Sequence, residues 1–392
     1  MRRALAILLL LAAAATAVAQ DDPLGLRQAP SAARRAVFRA ETAYNDGDRD
    51  RAIALLTEAV GAGGGADHPA VRYRLGVLLT DAGRAADALP HLRAAAEAVP
   101  DAAVAWRELG RAAYDAGLHG EAAGAFERAG DADLDYYAGV SWLLADEPER
   151  ALRKLAPLAS AATDTVAADL VQALVAAAAA ADRPDAATPA VSRLLRDHAD
   201  RPAAWRLAAQ HAQLADDLPT AAVRLQVAAW LDRAAGRAPS ADQRRHLADL
   251  LAATGDDRGA ARLLAGLRDE NPGEATLTDA TAAAWRRAHE PDSARVVLQA
   301  ALALDAPAPP MDDRARWWLL LGDLDYDRRR WRPAADSYQR AVALRGDLAR
   351  GWLMLGYCRL RLGETAAADT ALARARQFPD TAEQARGLGA GR

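Results

Sequence analysis

Trp318-Leu319-Leu320-Leu321-Gly322 returns 34 residues further on as Trp352-Leu353-Met354-Leu355-Gly356. Each copy is followed at the same distance by a second phrase, Ala334-x-x-x-Tyr338-x-x-Ala341 and then Ala368-x-x-x-Leu372-x-x-Ala375. Towards the other end of the chain, Trp106-x-x-Leu109-Gly110 precedes Ala122-x-x-x-Phe126-x-x-Ala129. A fixed period of this length marks a repeat array, and it governs how every shorter motif is read. Within each phrase the apolar residues fall at i, i+3 and i+4, the spacing of one buried helix face. Each period therefore reads as two helices.

Extending the register gives ten units, beginning near Ala33, Pro69, Ala103, Ala132, Ala168, Pro202, Ala241, Ala275, Ala315 and Ala349. The second helix of each unit opens its packing face with alanine: Ala52, Ala88, Ala122, Ala151, Ala187, Ala221, Ala260, Ala294, Ala334 and Ala368. Four residues on stands a larger side chain, from Leu56 and Leu92 through Phe126 to Tyr338 and Leu372. Alternating small with large is what a second helix needs to pass close to the first. Gly47, Gly83, Gly117, Gly255 and Gly363 end first helices, since glycine accepts positive φ without a Cβ penalty. Pro100, Pro202, Pro272 and Pro379 stop the second helices. One such hairpin cannot cover its own apolar face, so neighbours must stack.

These words, W-x-x-L-G, then A-x-x-x-F-x-x-A, then proline over 34 residues, resemble the tetratricopeptide repeat family. The resemblance implies an all-α, right-handed superhelical solenoid of about ten helix-turn-helix repeats. It also implies that first-helix side chains line an inner groove that takes an extended peptide or a partner helix. The expected organisation is a linker over 20–32, repeats 1–6 over 33–235, a break or hinge at 236–240, repeats 7–10 over 241–382, and a flexible tail over 383–392. Irregular spacing at Gly61–Gly65, at 236–240 and at the Ala-Pro-Ala-Pro-Pro segment before Met311 marks longer connections.

Composition narrows the function classes. Alanine supplies 106 of the 392 residues, so the core is filled by many small side chains. Lysine plus arginine numbers 49 against 53 acidic residues, a balance that gives no support to nucleic-acid binding, which calls for a basic domain. Cys358 is the single cysteine, which excludes an internal disulfide and any cysteine-cluster metal site. At the N-terminus, Arg2 and Arg3 precede an apolar run from Ala4 to Ala19 that ends in Ala17-Val18-Ala19. This is the pattern of a secretory signal cleaved after Ala19. A spanning helix needs ~20 apolar residues. The expected location is periplasmic or secreted, with membrane contact at most peripheral or through an uncleaved signal.

No motif supports catalysis, a cofactor or a metal. The histidines (His68, His91, His119, His198, His211, His246 and His289) are dispersed, and His289-Glu290 lacks the second histidine of a zinc helix. Gly61-Ala62-Gly63-Gly64-Gly65 is followed by Ala66-Asp67 where a phosphate loop wants lysine and a hydroxyl. Asp323-Leu324-Asp325-Tyr326-Asp327 looks like a calcium loop, but Arg328 and Ala334 stand where glycine and glutamate are required. No serine has a recognisable histidine and carboxylate partner, and no nucleophile elbow appears.

What remains is the groove. Carried onto this sequence, the family's inward positions are Tyr73, Arg107, Arg111, Tyr114, Tyr136, Arg206, Gln210, Arg245, Asp249, Arg286, Arg316, Tyr326, Arg350 and Tyr357. Arg107, Arg111 and Tyr114 stand at i, i+4 and i+7 on one helix face, an arrangement suited to an acidic segment through charge-assisted hydrogen bonds. The family's clamp for C-terminal carboxylates has lysine and asparagine at the positions of Arg107 and Arg111, and that departure argues against chaperone-tail recognition. Ala176–Ala181 leaves the fifth unit nearly bare. The resulting expectation is a non-enzymatic scaffold or adaptor for a protein or peptide partner in a bacterial envelope. A self-assembling structural subunit of an envelope or secretion complex is the alternative, and the non-catalytic frame of an enzyme complex is a third reading.

Overall fold

The structure, a computed structural model, describes residues 22–161, 166–304 and 309–390. The signal segment lies outside these residues, as does part of the proline-rich connection before Met311. Among the described residues there are twenty-one α-helices and no strand. They fall into two compact units, one ending at Ala199 and the other beginning at Asp200.

The first unit holds five helix pairs: α1 (Ser31–Asn45) with α2 (Arg49–Ala62), α3 (Pro69–Asp81) with α4 (Ala85–Ala98), α5 (Ala103–Asp115) with α6 (His119–Ala129), α7 (Asp135–Leu144) with α8 (Pro148–Ala161), and α9 (Ala168–Ala180) with α10 (Thr188–Asp197). The second holds five more: α11 (Pro202–Leu214) with α12 (Leu218–Ala234), α13 (Ala241–Ala253) with α14 (Asp257–Glu270), α15 (Ala275–Arg287) with α16 (Pro291–Leu302), α17 (Met311–Asp327) with α18 (Trp331–Leu344), and α19 (Ala349–Arg361) with α20 (Thr365–Ala375). A last helix, α21 (Pro379–Ala390), follows them. The ten units of the sequence are the ten pairs. Gly236–Ser240, singled out as a hinge, is the connection between α12 and α13 and lies inside the second unit.

The turn within each pair is built the same way ten times. The residue five places before the packing alanine has a left-handed backbone: Gly47, Gly83, Gly117, Asp146, Asp182, Asp216, Gly255, His289, Arg329 and Gly363. The amide after each one donates to a carbonyl five residues earlier, at 2.8–2.9 Å, from Asp48 to Ala43 through Arg330 to Asp325 and Glu364 to Arg359. This is the Schellman closure of a helix C-terminus, which satisfies carbonyls that the helix itself leaves open. Five of the ten use aspartate, histidine or arginine where the sequence reading looks for glycine. The pattern is thus set by the backbone and only partly written in the residue types.

Packing repeats as regularly. All ten alanines from Ala52 to Ala368 have no exposed surface. Where the first helix carries glycine, the large residue of the second helix fills its place, as Leu92 does at Gly76 and Leu155 at Gly139.

Both ends depart from expectation in one respect. Asp22 accepts backbone hydrogen bonds from Leu26 and Arg27 at 2.7 and 2.6 Å, and Leu24 and Ala29 are buried, so residues 22–30 are packed on the array where a linker is expected. At the other end α21 occupies most of the expected tail. Its Ala385 is buried with Leu353, Leu372 and Ala375, and Thr381 Oγ1 donates to the Ala375 carbonyl at 2.7 Å. Glu383, Gln384 and Arg386 are exposed on α21, which gives the last repeat a polar outer face, as a solenoid end requires.

Candidate functional site

The patch that the sequence favours is on α5, and its charges are already matched from within. Arg111 donates to Asp81 at the end of α3 at 2.6 Å and to Glu108 at 3.4 Å. Arg107 donates to Asp131, in the connection to α7, at 3.0 Å. Arg111 keeps 16% of its side chain exposed. Tyr114 meets His119 edge-on, with ring centroids 5.4 Å apart. Tyr73 is half-buried on α3, and burial, helped by the charge of Glu108, pushes its phenol up to about 12. Burial likewise raises Glu108 against the pull of Arg111. For Arg111, burial acts to lower the pKa, but the Asp81 hydrogen bond and the nearby carboxylates outweigh it and leave it raised. The geometry is a charge network joining neighbouring repeats, not the open cationic face expected of Arg107 and Arg111.

The same arrangement recurs in the second unit. Arg245 reaches Glu274 at 3.2 Å, Arg316 reaches Asp279, and Arg350 reaches Asp323 at 3.0 Å, each pair joining adjacent repeats. Arg206 instead pairs inside its own repeat, with the buried Asp232. Such pairs contribute ~0–1 kcal/mol each where they are exposed, so their main effect is on register and net surface charge. Arg286 differs: it is exposed, makes no ion pair among the described residues, and lines a shallow hollow with Arg287, His289 and Arg328. Gln210 lines a cavity in the second unit, Asp249 is exposed on α13, and Tyr136 packs edge-on against Tyr137 with centroids 5.5 Å apart.

Tyr326 and Tyr357 are brought together. Their ring centroids are 5.5 Å apart, although one closes α17 and the other lies on α19. Trp331, opening α18, completes a triangle at 5.6 Å from Tyr326 and 6.1 Å from Tyr357. Arg361 sits over the Trp331 ring at 5.3 Å. All three rings are half-buried and the arginine is exposed. Burial, then the neighbouring Tyr357, raises the Tyr326 phenol. Edge-to-face aromatic clusters are stiff, and a partly open one offers apolar area at little entropic cost to a partner. The sequence reading misses Trp331 and Arg361. Its register picks out first helices, and Trp331 belongs to the start of a second helix.

The aspartates of 323–327 have structural work. Asp323 accepts from Tyr338 Oη at 2.8 Å as well as from Arg350, and the buried Asp325 is paired with Arg295. Among the described residues no group of three histidine, cysteine, aspartate or glutamate side chains could hold a metal ion, and no helix is long and apolar enough to cross a membrane.

A tetratricopeptide repeat family model matches residues 39–103, 73–136 and 319–382, which run from within α1 to the start of α7 and from within α17 to the start of α21. Similar solved structures include the APC/C hetero-tetramer Cut9–Hcn1, at 13% identity over 90% of this chain and 88% of that one, with a TM-score of 0.35. Naa15/Naa10 bound to HypK-THB is similar at 12% identity over 90% of this chain and 64% of that one, with a TM-score of 0.49. YrrB, described as a TPR protein with an unusual peptide-binding site, is similar at 12% identity over 51% of this chain and 97% of that one, with a TM-score of 0.35. No curated protein sequence matches the chain.

Proposed function

The chain is a tetratricopeptide repeat protein, and from that premise we propose that it is an exported, non-catalytic scaffold that holds a protein or peptide partner in a bacterial envelope. Repeat proteins of this kind are built to present extended surfaces. The observation that carries the reading is the Tyr326–Trp331–Tyr357 cluster with Arg361 beside it. It combines stiff aromatic area with a cation, the side-chain types that dominate binding energy at protein interfaces. Tyr73, Tyr114 and Tyr136 are secondary contacts in the first unit, and Arg286 supplies an open positive charge for an acidic segment of the partner. Arg107 and Arg111 act as framework. Export rests on Arg2, Arg3, the apolar run and Ala17-Val18-Ala19.

The test is capture of partners from envelope extract by the parent and by a Tyr326→Ala/Tyr357→Ala variant, with a photo-cross-linker placed at Arg361. The expected result is a cross-linked protein that is lost with the two tyrosines while helical content is retained. Equal capture by both forms would remove this surface as the binding site. Independently, sequencing of the mature N-terminus should find Gln20, and Met1 on the bulk of the protein would overturn export with cleavage.

A further inference from the structure

A cavity of about 300 Å³ lies between α11, α12, α13 and α14, wholly inside the second unit. That is the small end of the ~300–1,000 Å³ range of ligand pockets. Its origin can be read in the spacing. Ala221 and Ala260 hold equivalent places in consecutive repeats but stand 39 residues apart, against 34 for Ala334 and Ala368. The extra residues lengthen α12 to 17 residues and form the 236–240 connection, whose Pro239 lines the cavity. Leu225 occupies the large second-helix position that is fully buried at Leu56, Leu92, Leu155, Leu298 and Leu372. Here that position is half-buried, and Leu225 walls the cavity with Ala229, Leu247 and Leu263.

The charged groups at this cavity are three arginines and one aspartate, beside Gln210, Gln213, Gln243 and His246. Among the described residues lining it, Asp232 is the one carboxylate, and Arg206 and Arg237 already engage it, the latter at 3.2 Å. Glu270 holds both terminal nitrogens of Arg244 at 2.7 and 2.6 Å, which matches that charge. Arg233 also lines the cavity, is exposed, and makes no ion pair among the described residues. Arg233 is thus the cation of this cavity without a counter-charge, and a bound anion would supply one.

The geometry points to a binding site for a small amphipathic carboxylate, its apolar body against Leu225, Leu247 and Leu263 and its carboxylate at Arg233. The class follows from the two halves of the site. An inorganic anion would leave the apolar wall unused, and a neutral or cationic amphiphile would leave Arg233 unmatched. The site is separate from the aromatic cluster and does not depend on the scaffold reading.

Octanoate is the probe, titrated calorimetrically into the full chain, with octanol and octylamine as comparators. Octanoate should bind at one site, and octanol should bind about tenfold more weakly, the equivalent of one charge-assisted hydrogen bond. Octylamine should not bind. Arg233→Gln, which removes an exposed unpaired side chain and leaves folding intact, should reduce octanoate affinity without changing that of octanol. Ala229→Phe should fill the cavity and abolish binding of both. Absence of octanoate binding at millimolar concentration overturns the site. Equal affinities for octanoate and octanol, or an Arg233→Gln variant that binds octanoate as the parent does, overturn the carboxylate assignment.

Discussion

The ring of Phe126 occupies the space where a side chain on Gly110 would begin: a Cβ there would stand 2.7 Å from both Cδ1 and Cε1. Gly322 and Tyr338 show the same relation at 2.5 Å, and Gly356 and Leu372 at 2.7 Å. Each contact joins the first helix of a repeat to the second helix of the same repeat. The close approach is therefore set inside the repeat, and stacking of repeats builds on it.

Gly110→Ala tests this directly. Alanine is favoured over glycine in a helix interior by about 1 kcal/mol, so propensity alone predicts stabilisation. The ring cannot yield without moving the second helix, and overpacking of this kind costs ~1–3 kcal/mol. The net effect should be a lower denaturant midpoint. Gly124 lies in α6 with nothing within 4 Å of its would-be Cβ, and Gly124→Ala should raise the midpoint by the propensity difference. Two substitutions of the same chemistry should thus have opposite signs. Matching shifts would mean that the contact is not what fixes the helix pair.

The left-handed turns give a second contrast. Arg329 has φ of 59° and Asp146 has φ of 60°. A left-handed backbone costs a residue with an ordinary side chain ~1–2 kcal/mol, but aspartate tolerates it through local hydrogen bonding. Glycine removes the strain and adds ~0.5–1 kcal/mol of unfolded-chain entropy against folding. Arg329→Gly should therefore stabilise by about 0.5–1 kcal/mol, and Asp146→Gly should be close to neutral. Thermal unfolding of both variants checks the order, and a larger gain at Asp146 than at Arg329 would contradict the argument.

The repeat was legible because its period is carried by packing, where volume is constrained and residue types are few. The alanines at 52, 88, 187 and 260 sit in the core as the register requires, although their units lack tryptophan. Half of the turns were not legible, since aspartate, histidine or arginine can take a left-handed conformation that no residue type announces as glycine does. The site was harder still. Arg107 and Arg111 fall on one face as predicted, yet the carboxylates that neutralise them, Asp81 and Asp131, come from the adjoining repeat and connection. Spacing along one helix says which side chains share a face, not what the next helix brings to it. Trp331 escaped for the same reason, because its neighbours Tyr326 and Tyr357 belong to other helices.

Cys358 offers a reporter for the last pairs of the array. It has no exposed surface, and burial pushes its thiol up to about 12. The thiolate is the reactive form, so a disulfide reagent at about pH 8 should label the native chain slowly and the unfolded chain fast. As the folded value lies above the unfolded one, the native state holds the proton longer. Stability should then fall as pH rises above the ordinary thiol range and on towards the folded value. Labelling at the unfolded rate under native conditions would show that α19 is open around this residue.

The buried phenol–carboxylate pair carries the last prediction. Tyr338 Oη donates to Asp323 Oδ1 at 2.8 Å, and Arg350 donates to the other oxygen at 3.0 Å. Burial raises the Asp323 carboxyl, while the Tyr338 hydrogen bond and the charge of Arg350 act to lower it. Its folded pKa lies above its unfolded one, so between the two values the native state binds more protons. Its contribution to stability accordingly falls as pH rises through the carboxylate range and is flat above it. Tyr338→Phe removes one of the groups that favour the charged form, leaving Arg350 and Arg286. That should raise the carboxyl further and enlarge the loss on going from about pH 4 to about pH 7. At neutral pH the variant should lose ~1–3 kcal/mol, the cost of a buried carboxylate short of one donor. At the acidic end, where the carboxyl is protonated in both states, the difference from the parent should shrink. Repeating the substitution in an Asp323→Asn background closes a double-mutant cycle, and there the pH dependence of the difference should vanish. If the parent and Tyr338→Phe differ by the same amount at both pH values, the coupling between this phenol and this carboxylate is absent.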